Sequence, residues 1–391
     1  MNSKSNFNKE MLKDARIYRG MSIKDLAEKT NISRQTISQY ENGDILQPNL
    51  ENLFKISGVL NFSINYFFNT KKDLNNYNTY FRALLSSNKK QRQIQELKVE
   101  KTFLVYRYLK QFLDFPKLEI IQKEPKNEND IEKIALELRN YWGLGLEPIK
   151  NMINLLEKKG IIITSFNTNN SDIDAFSKKF KIDNEEYYCM VLGNDKKSAV
   201  RRQFCAAHEL GHIIMHDWNE NLEDISNEEF RKREKEANYF AAAFLMPKET
   251  FLKDLIYEKN LNFYVELKKK WRVSISAMIM RAYNLKVLNE NQYQYLIKKI
   301  SYNGWRNEEP LDDIIQKEEP KLFKRSIDLL VDNSIISKSE IVNNLREETG
   351  LDREEIENLI SVPDDTLLEI KVKKPENDNI VILPKRKTSN S

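Results

Sequence analysis

His208, Glu209 and His212 are the residues of this chain best placed to do chemistry. In the run His208-Glu209-Leu210-Gly211-His212, two imidazoles stand four positions apart, and helical residues at that spacing lie one above the other on a single face. Such a pair can present two nitrogens to one Zn2+. A carboxylate directly after the first histidine then reaches a water beside the ion. Zinc makes that water more acidic and polarises a carbonyl, so Glu209 can take the proton and hand it on to a leaving amine. The chemistry expected of these residues is hydrolysis of a peptide bond.

Two histidines leave the site incomplete, because a catalytic zinc takes three protein ligands and keeps its fourth position open. The third is sought on the helical run Arg233-Glu234-Lys235-Glu236-Ala237-Asn238-Tyr239-Phe240-Ala241-Ala242-Ala243. Its small apolar face suits close packing on the first helix. Glu234 and Asn238 are four apart, so Glu234 can be the carboxylate ligand while Asn238, one turn on, supports the site. Glu236 points about 200° away from Glu234 and is the weaker ligand candidate. His216 continues the four-residue spacing but has drifted about 80° from His208, too far for a straight helix to aim all three imidazoles at one ion. It is expected beside the site, not on the metal. Cys205 offers a thiolate in principle, and a buried core cysteine is the preferred reading. A purely structural zinc is disfavoured, since such sites close all four positions with protein ligands.

The sequence around these residues reads as mixed α/β. Residues 131–142 form an amphipathic helix that Gly143-Leu144-Gly145 ends, and Pro148 opens another that runs through Lys159 to a stop at Gly160. Residues 161–164 and 187–192 are strand-like by their β-branched and aromatic content. The second lies directly before the helix of His208, so its edge is expected to pair with an extended peptide beside the metal. Residues 71–129 read as a connector with an internal helix, whose face of Phe103, Leu104, Tyr106, Leu109 and Phe112 belongs to a packed core or a dimer contact. Phe115-Pro116 breaks it. Residues 322–336, 338–349 and 353–360 look helical, with Ser337 as a cap, Glu340 three residues later and Gly350 as a stop. A short strand is expected at 380–383 and a disordered basic tail at 385–391.

The first seventy residues have another character. Leu12, Ala15 and Ile17 open a helix that Gly20 stops, and Ser22-Ile23-Lys24-Asp25 has the form of a capping box. A second helix turns Leu26 and Ala27 inward, Asn31-Ile32-Ser33 makes a turn, and a third helix runs from Arg34 to about Glu41 and ends at Asn42-Gly43. Leu50, Leu53, Ile56, Leu60 and Ile64 supply the apolar face that closes the bundle. Tyr40 reads as a core residue.

Composition sets the bounds. A chain of 391 residues implies two or three domains, and 40% hydrophobic with 31% charged residues describes packed cores under a well-solvated surface. No run approaches the roughly 18–20 apolar residues that span a bilayer, and residues 1–10 lack the apolar segment of a secretion signal. Cys189 and Cys205 are the only cysteines, which provides no disulfide framework and fits a reducing cytoplasm. The net charge of +4 is modest. Seven Lys or Arg between Lys89 and Lys110 face only Glu96 and Glu100, so this segment either approaches phosphates or, more simply, is a solvated helix face.

Two resemblances follow. Leu26-Ala27-Glu28-Lys29, Ile32-Ser33-Arg34-Gln35-Thr36-Ile37-Ser38 and Tyr40-Glu41-Asn42-Gly43 resemble the helix-turn-helix of the phage-repressor and Cro type, the XRE family. That resemblance implies a third helix in the major groove, with Arg34, Gln35, Thr36, Ser38 and Gln39 at bases or nearby phosphates and Asn42 near the backbone. Ile23 departs from the family, which usually has a phosphate-gripping Gln there. The run from Phe204-Cys205-Ala206-Ala207 through His212, together with Glu234-Lys235-Glu236-Ala237-Asn238-Tyr239-Phe240-Ala241-Ala242, resembles the ImmA/IrrE metallo-endopeptidases. Leu138-Arg139 through Gly145 and Pro148, Leu156-Glu157-Lys158-Lys159-Gly160, Asn303-Gly304-Trp305-Arg306 and Glu309-Pro310-Leu311-Asp312-Asp313 agree with it. Cys205 and Ala206 stand where Thr and Leu are usual, and Gln203 where an Arg is common.

Together these imply an α+β, mostly helical fold. A five-helix bundle at 8–70 and a helical connector at 71–129 would precede a zincin-like metallopeptidase domain with a small sheet at 130–290. A mainly helical region of unassigned role at 291–384 and the tail at 385–391 would follow. The implied protein is a cytoplasmic, gluzincin-like zinc endopeptidase fused to a DNA-binding regulator, latent until activated and able to dimerise. Zn2+ is its expected cofactor, with His208, His212 and Glu234 as ligands, Glu209 as base and Asn238 as support. Its expected partners are a double-stranded operator and a protein substrate, a repressor of a mobile element or stress response. The rival expectation keeps the DNA-binding regulator and makes the peptidase-like region a sensor or interaction module in a toxin–antitoxin or phage-defence setting. An intact Glu209 argues against that rival, because a scaffold has no need of a base.

Overall fold

The computed structural model describes residues 6–70, 75–80, 89–168, 173–182, 184–194, 198–218 and 225–369. The strand expected at 380–383 and the tail at 385–391 lie outside the described residues. The described residues are mostly helical, with sixteen α-helices and one small sheet.

Four helices, α1 (Lys9–Tyr18), α2 (Ile23–Thr30), α3 (Arg34–Asn42) and α4 (Leu50–Leu60), with a 3₁₀ turn at Ile64–Phe68, build the N-terminal bundle. Side chains close the open backbone amides at each start: Ser22 and Asp25 form a complete capping box on α2, and Ser33 accepts from the Thr36 amide on α3. Leu12, Leu26, Ile37, Tyr40, Leu53, Ile56 and Leu60 fill the bundle core. Leu50 departs from the expectation. It is the first residue of α4 and is 70% exposed, because periodicity gives the phase of a face and not how far the neighbouring helices extend along it.

Strand β1 (Asn75–Tyr80) and the long helix α5 (Lys89–Leu109) come next, followed by α6 (Glu128–Tyr141), α7 (Met152–Lys158), β2 (Ile162–Phe166), β3 (Ala175–Ile182) and β4 (Glu185–Gly193). Asn151, not Pro148, caps α7, since an asparagine side chain can accept from the Asn154 amide and proline has no such acceptor. The sheet runs β1-β3-β4-β2, antiparallel except for the parallel β4–β2 pair. The expectation that the strand before the catalytic helix would be an edge is corrected here. That strand is β4, and it is internal, paired on one side with β3 and on the other with β2.

Alternation along the strands sends side chains into two different cores. Ala175, Tyr188, Met190 and Leu192 join one core, with α6 and α7 and, beyond the sheet, α8 (Ala199–Met215) and α9 (Asn227–Leu245), followed by α10 (Lys248–Asp254), α11 (Leu261–Trp271), α12 (Ile275–Asn284) and α13 (Glu290–Tyr302). Phe176, Phe180, Cys189 and Val191 join the other, shared with the N-terminal bundle, α5, and the last three helices α14 (Leu322–Asp332), α15 (Lys338–Thr349) and α16 (Arg353–Leu359). The apolar face of α5 is packed core through Phe103, Tyr106 and Leu109, whereas Phe112 lies beyond the helix and is 38% exposed. Phe103 stacks on Phe180 with ring centroids 4.1 Å apart.

The last three helices fasten the bundle to the rest of the chain. Arg19 pairs with Glu355, Asn61 donates to Asp352 at 2.8 Å, and the Ser63 amide donates to the Gly350 carbonyl at 3.2 Å. Gly350 ends α15 at φ 77°, and a Cβ there would meet the Phe62 and Tyr66 rings at 2.5–2.7 Å. Only glycine suits both the backbone and the contact.

Candidate metal centre and nucleic-acid interface

Helices α8 and α9 pack closely because Gly211 faces α9. A Cβ at 211 would lie 3.1 Å from the Phe240 ring and 3.2 Å from the Ala237 Cα. Ala237 and Ala241 are fully buried. This approach brings Glu234 against both imidazoles of α8. The Nε2 atoms of His208 and His212 are 3.0 Å apart, and the Glu234 carboxylate lies 3.7 Å from the first and 3.2 Å from the second. Donors about 2.1 Å from one ion at tetrahedral angles would stand about 3.4 Å apart. The three expected donors therefore fit a small cation, and they form the one such His/Cys/Asp/Glu group among the described residues.

The outer nitrogens are also engaged. His208 Nδ1 is 3.0 Å from Asn238 Oδ1. His212 Nδ1 is 2.9 Å from His216 Nδ1, and His216 Nε2 is 3.1 Å from Glu236 Oε2. One assignment of protons satisfies the whole line. His212 donates from Nδ1 to His216, His216 donates from Nε2 to Glu236, and His212 Nε2 keeps its lone pair for a metal. Burial holds the His216 pKa below the usual histidine value, against the pull of Glu236. His216 thus stands outside the donor group, against His212, and Glu236 reaches that group through it. Helical angles alone had set Glu236 aside, because the line depends on the packing of two helices.

Glu209 is buried, and Ser177 Oγ on β3 donates to its Oε2 at 2.9 Å. Sequence reasoning gave Ser177 no role, and its only signal was a small polar residue in a strand that followed no alternating pattern. Trp218 Nε1 donates to the His212 carbonyl at 3.2 Å, holding the end of α8. Cys205 is half-buried and stands outside the donor group. Cys189 is the buried cysteine, and burial raises its thiol to about 12.

At the other end of the chain, α3 turns one face outward. Arg34, Gln35 and Asn42 are exposed, and Thr36, Ser38 and Gln39 are half-buried beside them. Ser33 Oγ and Thr36 Oγ1 are 2.8 Å apart, and Asn42 donates to Ser38 Oγ at 3.4 Å. Behind this face, Arg16 on α1 forms a two-pronged pair with Glu41 on α3, at 2.6 and 2.7 Å. Such forked geometry fixes orientation as well as distance, so the pair sets the angle of α3. Tyr40 is buried and accepts from Asn52 at 2.9 Å. The basic run on α5 divides. Lys89 and Lys90 are exposed, whereas Lys101 is buried and donates to Tyr66 Oη at 3.1 Å and the Thr349 carbonyl at 2.6 Å.

Comparison with known families agrees with this division. Residues 12–67 match the helix-turn-helix family model, and residues 156–283 match the model of the IrrE N-terminal-like domain, a peptidase family. The two regions occur in the expected order, and both sets of candidate residues fall inside them. No curated protein sequence matches the chain. No helix among the described residues is long and apolar enough to cross a membrane.

Proposed function

We propose that this protein is a DNA-binding transcriptional regulator that carries a zinc-dependent endopeptidase. The convergence of His208, His212 and Glu234 on one point, with Glu209 on the same helix, is the observation that supports the enzymatic half. Bound zinc would supply electrophilic assistance to a peptide carbonyl and acidify a water at that point. His208 and His212 present Nε2 because Asn238 and His216 occupy their outer nitrogens. Glu209, oriented by Ser177, takes a proton and delivers it to the departing amine. Arg34, Gln35, Thr36, Ser38, Gln39 and Asn42 read an operator, with Arg suited to guanine and Gln to adenine. The protein substrate is a transcriptional repressor of a mobile element or stress response, the protein works in the cytoplasm, and it binds DNA as a homodimer.

The test compares cellular protein fragments in cells carrying wild type or Glu209→Gln, with zinc measured on the purified proteins. Fragments that depend on Glu209, and about one zinc per chain lost in His208→Ala, are expected. Identical fragment profiles, or a native protein that binds no metal, would sink the proposal.

A further inference from the structure

Ser177 ties β3 to the candidate base. Its hydroxyl donates to Glu209 at 2.9 Å, so β3 is the strand that runs beside the point of chemistry. An extended peptide recruited to that point by strand addition needs the backbone groups on the outer edge of β3. The other sheet edge, on β2, lies two strands away from β3, about 10 Å at ordinary strand spacing. The outer edge of β3 already has an occupant from the same chain. β1 pairs with it antiparallel through Asn75↔Lys181, Asn76↔Phe180, Thr79↔Lys178 and Tyr80↔Ser177. The last pair sets β1 opposite the residue that holds Glu209.

A strand edge accepts one partner at a time. We infer that the outer edge of β3 is the peptide-binding edge of the metal centre and that β1 is its intramolecular occupant, competing with substrate. The inference rests on the peptidase reading above. Two features suit β1 to be displaced. Its register shifts between Asn76 and Thr79, so the ladder is interrupted. Its sequence, Asn-Asn-Tyr-Asn-Thr-Tyr, contains three asparagines, a residue depleted in strands. It also carries no charge, so the substrate segment that replaces it is an extended, uncharged stretch of similar composition. β1 lies between the N-terminal bundle and α5, and substrate entry therefore moves the segment that joins the two.

Three full-length, zinc-loaded variants test this. One replaces Asn75–Tyr80 by a Gly/Ser segment of equal length. The second joins the paired positions as Asn75→Cys with Lys181→Cys, since Cα atoms of directly paired residues stand at disulfide distance. The third adds Glu209→Gln to the first. Hydrogen exchange follows the β3 amides, a labelled Asn-Asn-Tyr-Asn-Thr-Tyr peptide reads binding, and digestion of a proteome-derived peptide library reads hydrolysis. The Gly/Ser variant should exchange its outer β3 amides about tenfold faster than wild type, a change of about 1.4 kcal/mol in protection. It should also bind the peptide and cut the library several-fold faster than wild type. The oxidised cysteine pair should do none of these until reduced, and Glu209→Gln should abolish cutting but not binding. Unchanged exchange, absent peptide binding, or an opened edge that cuts no faster than a wild type that itself cuts overturns the inference and leaves the peptidase reading standing. An opened edge that binds peptide while no variant cuts anything overturns the peptidase reading and, with it, the competition.

Discussion

Replacing Gly211 by alanine tests whether helix approach is what assembles the metal centre. An added Cβ would lie 3.1 Å from the Phe240 ring and 3.2–3.3 Å from the Ala237 backbone. Carbon contacts are comfortable at about 3.5–4.0 Å, so α9 must withdraw by about 0.4 Å. If Glu234 follows, its distances to the two Nε2 atoms grow from 3.2 and 3.7 Å to about 3.6 and 4.1 Å, and the second then exceeds the roughly 3.4 Å of tetrahedral donors by about 0.7 Å. Metal sites tolerate departures of about 0.2 Å per ligand. Two effects oppose each other in stability. Alanine gains about 1 kcal/mol in helix propensity over glycine, and overpacking costs about 1–3 kcal/mol, so the metal-free protein should lose about 0–2 kcal/mol. Zinc affinity should fall at least tenfold, because a ligand is misplaced while the fold survives. Urea unfolding in chelator gives the first quantity and a competition titration with a zinc indicator gives the second. A Gly211→Ala protein that is more stable than wild type and binds zinc as tightly would refute the reasoning, since the helices would then meet without needing the missing side chain.

Other expectations follow from the same geometry. His216→Ala and Glu236→Ala should each weaken zinc binding by about 10–100-fold by releasing the outer nitrogen of His212, and equal affinities in the indicator titration would remove the His216–Glu236 line from the site. Burial lowers the Lys101 amine from its ordinary 10.5 to about 7, so between those values the unfolded chain binds more protons and stability rises with pH. Below about pH 7 the cost is present in full. Lys101→Met should flatten the rise seen by urea unfolding between pH 6.5 and 9, and an unchanged slope would show that the amine is not the cause. Arg34→Ala should weaken binding to a selected operator by about 1–3 kcal/mol and relax specificity at one base. A uniform loss across sequences, with a shallower salt dependence, would make Arg34 a phosphate contact.

The legible part of the site is the part that local geometry carries. His208, Glu209 and His212 share one helix, and Glu234 and Asn238 share another, so the 3.6-residue period places each set without knowledge of the rest. The helix starts at Ser22 and Ser337 were legible for the same reason, because a cap and its partner lie three residues apart. Ser177 was not legible. β3 buries Ser177, Lys178 and Lys179, so the alternation that reveals a half-buried strand is missing. β1 was hidden as well, since asparagine-rich segments ordinarily read as loops and its pairing partner lies about a hundred residues away. Lys101 looked like a surface cation, and only the bundle, α5 and α15 together enclose it.

By itself, then, the sequence determined which residues can bind a metal, because spacing along a helix fixes direction, while the helix expected to face DNA came from a family resemblance. Tertiary structure decided what surrounds them. The packing of α8 on α9 closes the donor triangle and joins His216 to Glu236, the sheet order makes β4 internal and leaves β3 beside Glu209, and β1 takes the edge of β3. Each of these depends on backbone segments distant in sequence meeting at a few ångströms, and no local period encodes such a meeting.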